Sequence, residues 1–118
     1  MRAENQLIET TSLLQILAQP EKYDQKEVQV IAYLHLEFEG DALYLHREDF
    51  LNSILGNSVW IDVDGSIEPK KVNDKYVIVR GTFDAKARGH MGLFSGTIRN
   101  LKRCDIWSDP KSPRRNQK

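Results

Sequence analysis

Residues 28–46 read VQVIAYLHLEFEGDALYLH, and the alternation inside this stretch decides the fold. Val28, Val30, Ala32, Leu34, Leu36 and Phe38 are apolar at every second position. Leu43 and Leu45 carry on in the same phase after Gly40-Asp41. A period of two sustained over this length specifies a half-buried antiparallel hairpin, not a helix. Gly-X is the chemistry of a two-residue type II′ loop. A turn at Gly40-Asp41 pairs Glu39 with Ala42, Phe38 with Leu43, Glu37 with Tyr44, Leu36 with Leu45 and His35 with His46. A turn at Glu39-Gly40 keeps the same faces and slides the pairs. A three-residue loop sets apolar against polar, because a slip of one residue exchanges the faces of a strand. The apolar residues then share the core face, and Tyr33, His35, Glu37, Tyr44 and His46 share the other.

Working outward, Thr11 or Ser12 can cap a short helix over LLQILAQ, whose Leu13, Leu14, Ile16 and Leu17 form a stripe at helical spacing. Pro20 is expected to end it, and the helix to cover one end of the core. Strand one is expected from about residue 26 to 38 and strand two from 42 to 46. Asp49 can cap a helical turn that sends Phe50, Ile54 and Leu55 inward. Strand three is SVWIDV at 58–63, with Trp60 and Asp62 facing outward. Residues 65–75 read as a polar loop too broken for a helix. Strand four runs 75–84, where Gly81 marks a bulge or bend. Strand five runs from about 92 to 102. Residues 1–10 read as a flexible N-terminus, 11–104 as one domain, and 105–118, with two prolines, as a flexible basic tail. Five strands with late curvature glycines point to a small closed barrel, which leaves no open sheet edges.

Composition sets bounds on function. The 118 residues are 40% hydrophobic and 29% charged, ordinary for a single globular domain. Seventeen basic residues balance seventeen acidic ones, so the formal net charge is zero. The chain lacks the global positive charge on which non-specific nucleic-acid binding draws. A lone cysteine, Cys104, excludes an internal disulfide and a multi-thiolate zinc site in one chain. With no apolar signal core and no apolar run of spanning length, a cytoplasmic location and no membrane partner are expected.

Several blocks carry a resemblance. Residues 28–34 (VQVIAYL), 42–45 (ALYL), 76–83 (YVIVRGTF) and the closing 96–101 resemble the hydrophobic rhythm of the tRNA-anticodon-binding type of OB domain. YLHLEFEGDALYLHRED and RGHMGLFSGTI look similar to small bacterial OB-fold proteins whose activities are largely unassigned. The resemblance covers about residues 11–103 and implies an all-β fold with short helices: a five-stranded Greek-key OB-type barrel preceded by an N-terminal helix. OB domains that grip nucleic acid use the one-two and four-five loops as clamps. The minimal one-two turn expected here removes one of those jaws.

Three constellations could carry chemistry. A cross-strand His35–His46 pair beside Glu37 could share a divalent ion. Zinc wants three or four protein ligands, so the pair reads instead as stacking on a solvated face, and no metal or other cofactor is expected. Tyr33, Tyr44 and Trp60 could form a stacking platform. Lys86, Arg88 and His90 on the four-five loop, with Lys70 and Lys71, could supply charge beside it. The alternative is that these rings brace the barrel or meet a partner. Asp62-Val63-Asp64-Gly65 lacks the spacing of a calcium loop, and Cys104 has no neighbouring base to make it a nucleophile. The reading that follows is a non-catalytic binding module whose ligand is another protein, an inhibitor or immunity-type protein being one that fits. The alternative is single-stranded nucleic acid or an oligosaccharide. The expected contact residues are Tyr33, His35, Tyr44, His46, Trp60, Lys86, Arg88 and His90.

Overall fold

The computed structural model describes residues 8–65 and 67–111. Two short helices lead in: α1 (Leu13–Ala18) and α2 (Pro20–Tyr23). Of the two expected caps, Thr11 and Ser12, it is Ser12 that caps α1, its hydroxyl accepting the Leu14 N–H at 3.0 Å. Pro20 does not simply stop the chain; it occupies the first turn of α2, where its missing N–H is harmless. Leu13 and Ile16 are fully buried in the core, while Leu14 stays exposed.

The strands are β1 (Glu27–His35), β2 (Ala42–Tyr44), β3 (Ser58–Ile61), β4 (Lys75–Asp84) and β5 (Thr97–Ser108). They close into a barrel in the order β1-β2-β3-β5-β4. Only β3 and β5 run parallel, joined at Trp60–Thr97 and Ile61–Ile98. This is the five-stranded OB-type barrel with its helix on the N-terminal side. Inside it lie Val28, Val30, Ala32 and Leu34 of β1, Leu43, Val59 and Ile61, and Val77, Val79, Phe83 and Ile98. Each of these side chains larger than alanine contributes roughly 1.5–3 kcal/mol by leaving water. The core face of β1 is therefore the one its alternation predicts.

The hairpin turn differs from expectation. His35 pairs with Ala42, Leu34 with Leu43 and Tyr33 with Tyr44. The register moves by an even number of residues, so the faces survive while every pair changes. The turn sits at Glu37–Gly40, closed by Gly40 N–H to the Glu37 carbonyl at 2.9 Å, with Glu39 at φ 56°. The Asp41 carboxylate accepts the Glu37 N–H at 3.0 Å. A six-residue β1–β2 loop, 36–41, replaces the two-residue turn. Phe38, expected in the core, stands on that loop 89% exposed.

Three further expectations are corrected. The 65–75 stretch holds a one-turn helix, α4 (Pro69–Val72), which sends Val72 into the barrel core. After β2, the helical turn α3 (Arg47–Leu51) is capped at His46, whose N–H donates to Asp49 at the third helical position. Last, β5 does not stop near residue 102 but pairs with β4 as far as Tyr76–Ser108. Residues 105–108, assigned to the tail, are therefore strand. Residues 112–118 of that tail and 1–7 of the N-terminus lie outside the described residues. Thr10 is tied down, bridging to Gln29 and accepting its side-chain amide at 3.0 Å. The predicted irregularity at Gly81 is present as a register shift between Arg80 and Thr82. A Cβ on Gly81 would stand 2.7 Å from the Arg99 carbonyl oxygen.

Candidate functional site

The outer face of the hairpin is not a solvated platform. The connection from β2 to β3 folds α3 back over it, and Phe50 lies across the rings. Phe50 stacks on His35 at 4.1 Å and Tyr33 at 5.8 Å, and meets Tyr44 edge-on at 5.4 Å. Tyr33 and Tyr44 are left 2% and 6% exposed. They form a second, smaller apolar layer outside the barrel with Ala42 and Phe94. Burial raises both phenols above their ordinary range, with the Asp74 carboxylate adding to the effect on Tyr33 and Glu37 on Tyr44. Buried this way, the two tyrosines cannot stack on an incoming base or sugar.

His35 and His46 are not brought together, which corrects the expected pair. With Ala42 opposite His35, His46 falls beyond the end of β2. His35 Nδ1 lies 2.6 Å from Asp74 Oδ1 and Nε2 lies 2.8 Å from Glu37 Oε1. It ties the loop after α4 to the β1–β2 loop. His46 is exposed, 3.9 Å from Asp49. Among the described residues, no group of three or more His, Cys, Asp or Glu side chains could hold a metal ion. Burial, with the neighbouring Asp105 charge, pushes the Cys104 thiol up to about 11, so it is held protonated rather than poised as a nucleophile.

Of the expected residues, Tyr44 and His90 line a cleft, together with parts the sequence did not single out, and Trp60 packs on Phe94, which lines it. The β4–β5 loop, 85–96, begins at Asp84, whose carboxylate accepts the N–H groups of Lys86 and Ala87 and pairs with Arg99 at 2.8 Å. These bonds, the Lys86 N–H foremost, hold the Asp84 carboxyl below its ordinary range. Arg88 Nε donates to the Phe94 carbonyl at 3.0 Å, folding the loop on itself. Gly89, at φ 72°, lies so close to Trp60 that a Cβ there would meet its ring at 2.7 Å. Trp60 in turn meets Phe94 edge-on at 5.4 Å. Lys86 is exposed on the same loop. Lys71 is on α4, paired with Glu68 at 2.9 Å.

Between the β4–β5 loop and the β1–β2 loop is a cleft of about 260 Å3. Glu37 and Glu39 line one side, His90 and Leu93 the other, with Ser53 and Leu55 of the β2–β3 connection at its end. Tyr44 and Phe94 lie at its base. His90 Nε2 and Glu39 Oε1 face each other across it at 3.8 Å. Leu93, at 53% exposure, lines it, and the two loops that flank it each carry one further exposed apolar side chain, Phe38 at 89% and Met91 at 78%. Phe38 and Met91 were legible as apolar but not as exposed, because the loop length that strands Phe38 is set by local turn geometry.

No protein-family model matches the chain, and a search of curated proteins returned no match. No helix among the described residues is long and apolar enough to cross a membrane.

Proposed function

We propose that this chain is a non-catalytic binding module of OB type that docks another protein at the mouth between its β1–β2 and β4–β5 loops. One observation carries the reading: Phe38, Met91 and Leu93, three large apolar side chains, stand exposed on the two loops that flank a single cleft. A cluster of exposed apolar groups rimmed by polar ones is the signature of an interaction surface. Methionine and phenylalanine are enriched at the centres of protein interfaces.

The charge at the mouth supports protein over nucleic acid. Glu37 and Glu39 face the cleft, where they would repel a phosphate backbone. Elsewhere, Arg99, Lys102 and Arg103 are paired with Asp84, Glu27 and Asp105. The tyrosine platform that single-strand binding would need lies under Phe50. The partner that suits this mouth offers an apolar side chain flanked by lysine or arginine. A cytoplasmic inhibitor or immunity-type role fits such a module, as does kinship with the bacterial OB-fold proteins.

The test compares the wild type with a Phe38→Ser, Met91→Ser, Leu93→Ser triple variant as bait in extracts of the native host. All three residues are exposed, so thermal melting should not move. The expected result is a partner retained by the wild type and lost by the variant. A partner held equally by both would place docking elsewhere. A labelled single-stranded oligonucleotide that binds the wild type, and weakens steeply with salt, would replace the reading with the nucleic-acid one.

A further inference from the structure

The barrel leaves one strand edge open. On the side away from β4, β5 pairs with β3 only at Thr97 and Ile98. Among the described residues, no strand covers that edge from Asn100 to Ser108. The direction of its backbone groups follows from the neighbours. Phe83 N–H donates to Lys26 and its carbonyl accepts from Gln25, so Phe83 turns toward the β1 side. By alternation Val79 and Val77 do the same, and Arg80 and Ile78 turn toward β5. Their partners are Arg103 and Asp105, so Cys104 and Ile106, opposite Val79 and Val77, present their N–H and C=O to the open side.

This edge is short and bounded. One register shift falls between Arg80 and Thr82 and another between Tyr76 and Val77, on either side of a regular run from Arg103 to Ile106. Exposed edges are usually blunted by proline or by a covering loop; the regular run holds no proline, and the segment that packs near it, Ile67 and α4, adds no strand to it. Beside it is a hollow of about 310 Å3 lined by Ile67 and by residues Leu101 to Asp105. Ile106 and Trp107 stand about half exposed just beyond.

We infer that β5 pairs antiparallel with β5 of a second copy of this chain, with the two-fold axis at Cys104. Charge complementarity supports this occupant, and the Cys104 register pairs both charges of the regular run with opposite ones. An antiparallel pairing centred on Cys104 sets Arg103 opposite the partner subunit's Asp105 and Asp105 opposite the partner subunit's Arg103. Centring on Lys102, Arg103 or Asp105 sets like charges against each other, which disfavours pairing. In the Cys104 register Ile106 also lies opposite the partner subunit's Lys102, beside the hollow under Ile67 and Leu101. Such an interface is isologous, each copy offering the same knob and the same hollow. It uses a different part of the molecule from the mouth.

Sedimentation velocity on the full chain across a concentration series tests this. The wild type is expected to dimerise as concentration rises. Arg103→Asp and Asp105→Arg should each weaken the dimer by ~10-fold or more, since each sets like charges opposite one another. A one-to-one mixture of the two variants should dimerise again, because every cross-strand pair is then opposite in sign. An ion pair inside one chain cannot produce that rescue. Ile106→Pro should abolish the dimer with the circular dichroism unchanged, since the N–H it removes is not the one facing β4. A wild type that stays monomeric throughout the series overturns the inference. So does a dimer that survives Ile106→Pro, or a variant mixture that fails to re-pair.

Discussion

Replacing Phe50 with alanine should cost the fold about 2 kcal/mol. Phe50 belongs to neither a strand nor the barrel interior, yet it touches Tyr33, His35 and Tyr44 at once. A fully buried phenylalanine costs roughly 3–5 kcal/mol on truncation. Phe50 keeps part of its surface in water, so the low end of that range, discounted for the exposed part, applies. Unfolding entropy near 2.1 cal/mol/K per residue, over 118 residues, gives about 0.25 kcal/mol/K. The melting temperature should therefore fall by ~8 °C. Thermal and urea melts followed by circular dichroism measure this directly. Second-derivative absorbance should show the Tyr33 and Tyr44 rings moving toward water, and Phe50→Leu should recover about half of the loss. A loss below ~0.5 kcal/mol, the range of an ordinary surface change, would refute the claim that α3 closes over these rings.

Gly81→Ala should destabilise by about 1–3 kcal/mol, because the added methyl meets the Arg99 carbonyl and the Ile98 side chain within 2.8 Å. Gly56→Ala, where nothing lies within 4 Å, is its control and should stay within ~0.5 kcal/mol in urea melts; equal effects would count against the close approach of β4 and β5. With its folded pKa raised to about 11 from an ordinary value of 9.0, Cys104 should react with iodoacetamide at pH 9 roughly fifty-fold slower than in guanidinium. The sign follows from the neutral thiol being favoured by the fold. The protection and the stability linked to it are intact below pH 9 and are lost as pH rises through 11. Equal rates in the folded and unfolded chain at pH 9 would show the thiol to be freely exposed.

The barrel was legible because its signals are local and periodic. Alternation in β1 and β4 marks their core faces, and the bounds of β4 match expectation residue for residue. A cap at Thr11 or Ser12 is visible, Ser12 being the one used, and so is a bulge or bend at Gly81. The missed features depend on contacts between distant residues or on single turns. Two hairpin turns of different length give the same alternation, so only the Asp41–Glu37 and Gly40–Glu37 bonds decide between them. Helix α4 is one turn with one buried residue, Val72, too short to show a period. The far half of β5 has few apolar residues because past Ile98 the only strand it pairs with is β4, so it reads as tail. The candidate site was misplaced for a related reason. Alternation shows that Tyr33 and Tyr44 point away from the core, but not that Phe50, six residues past Tyr44, comes back to cover them.

Barrel closure between β3 and β5 rests on two residue pairs, against eight between β1 and β4. That seam is where the cylinder should breathe first, and hydrogen exchange at Trp60 and Asp62, whose N–H groups cross it to Gly96 and Ile98, would report its opening. Trp60 sits at once on the seam and against the β4–β5 loop. Anything seated in the cleft would act as a clasp on the thinnest join of the wall, so occupancy and rigidity would rise together.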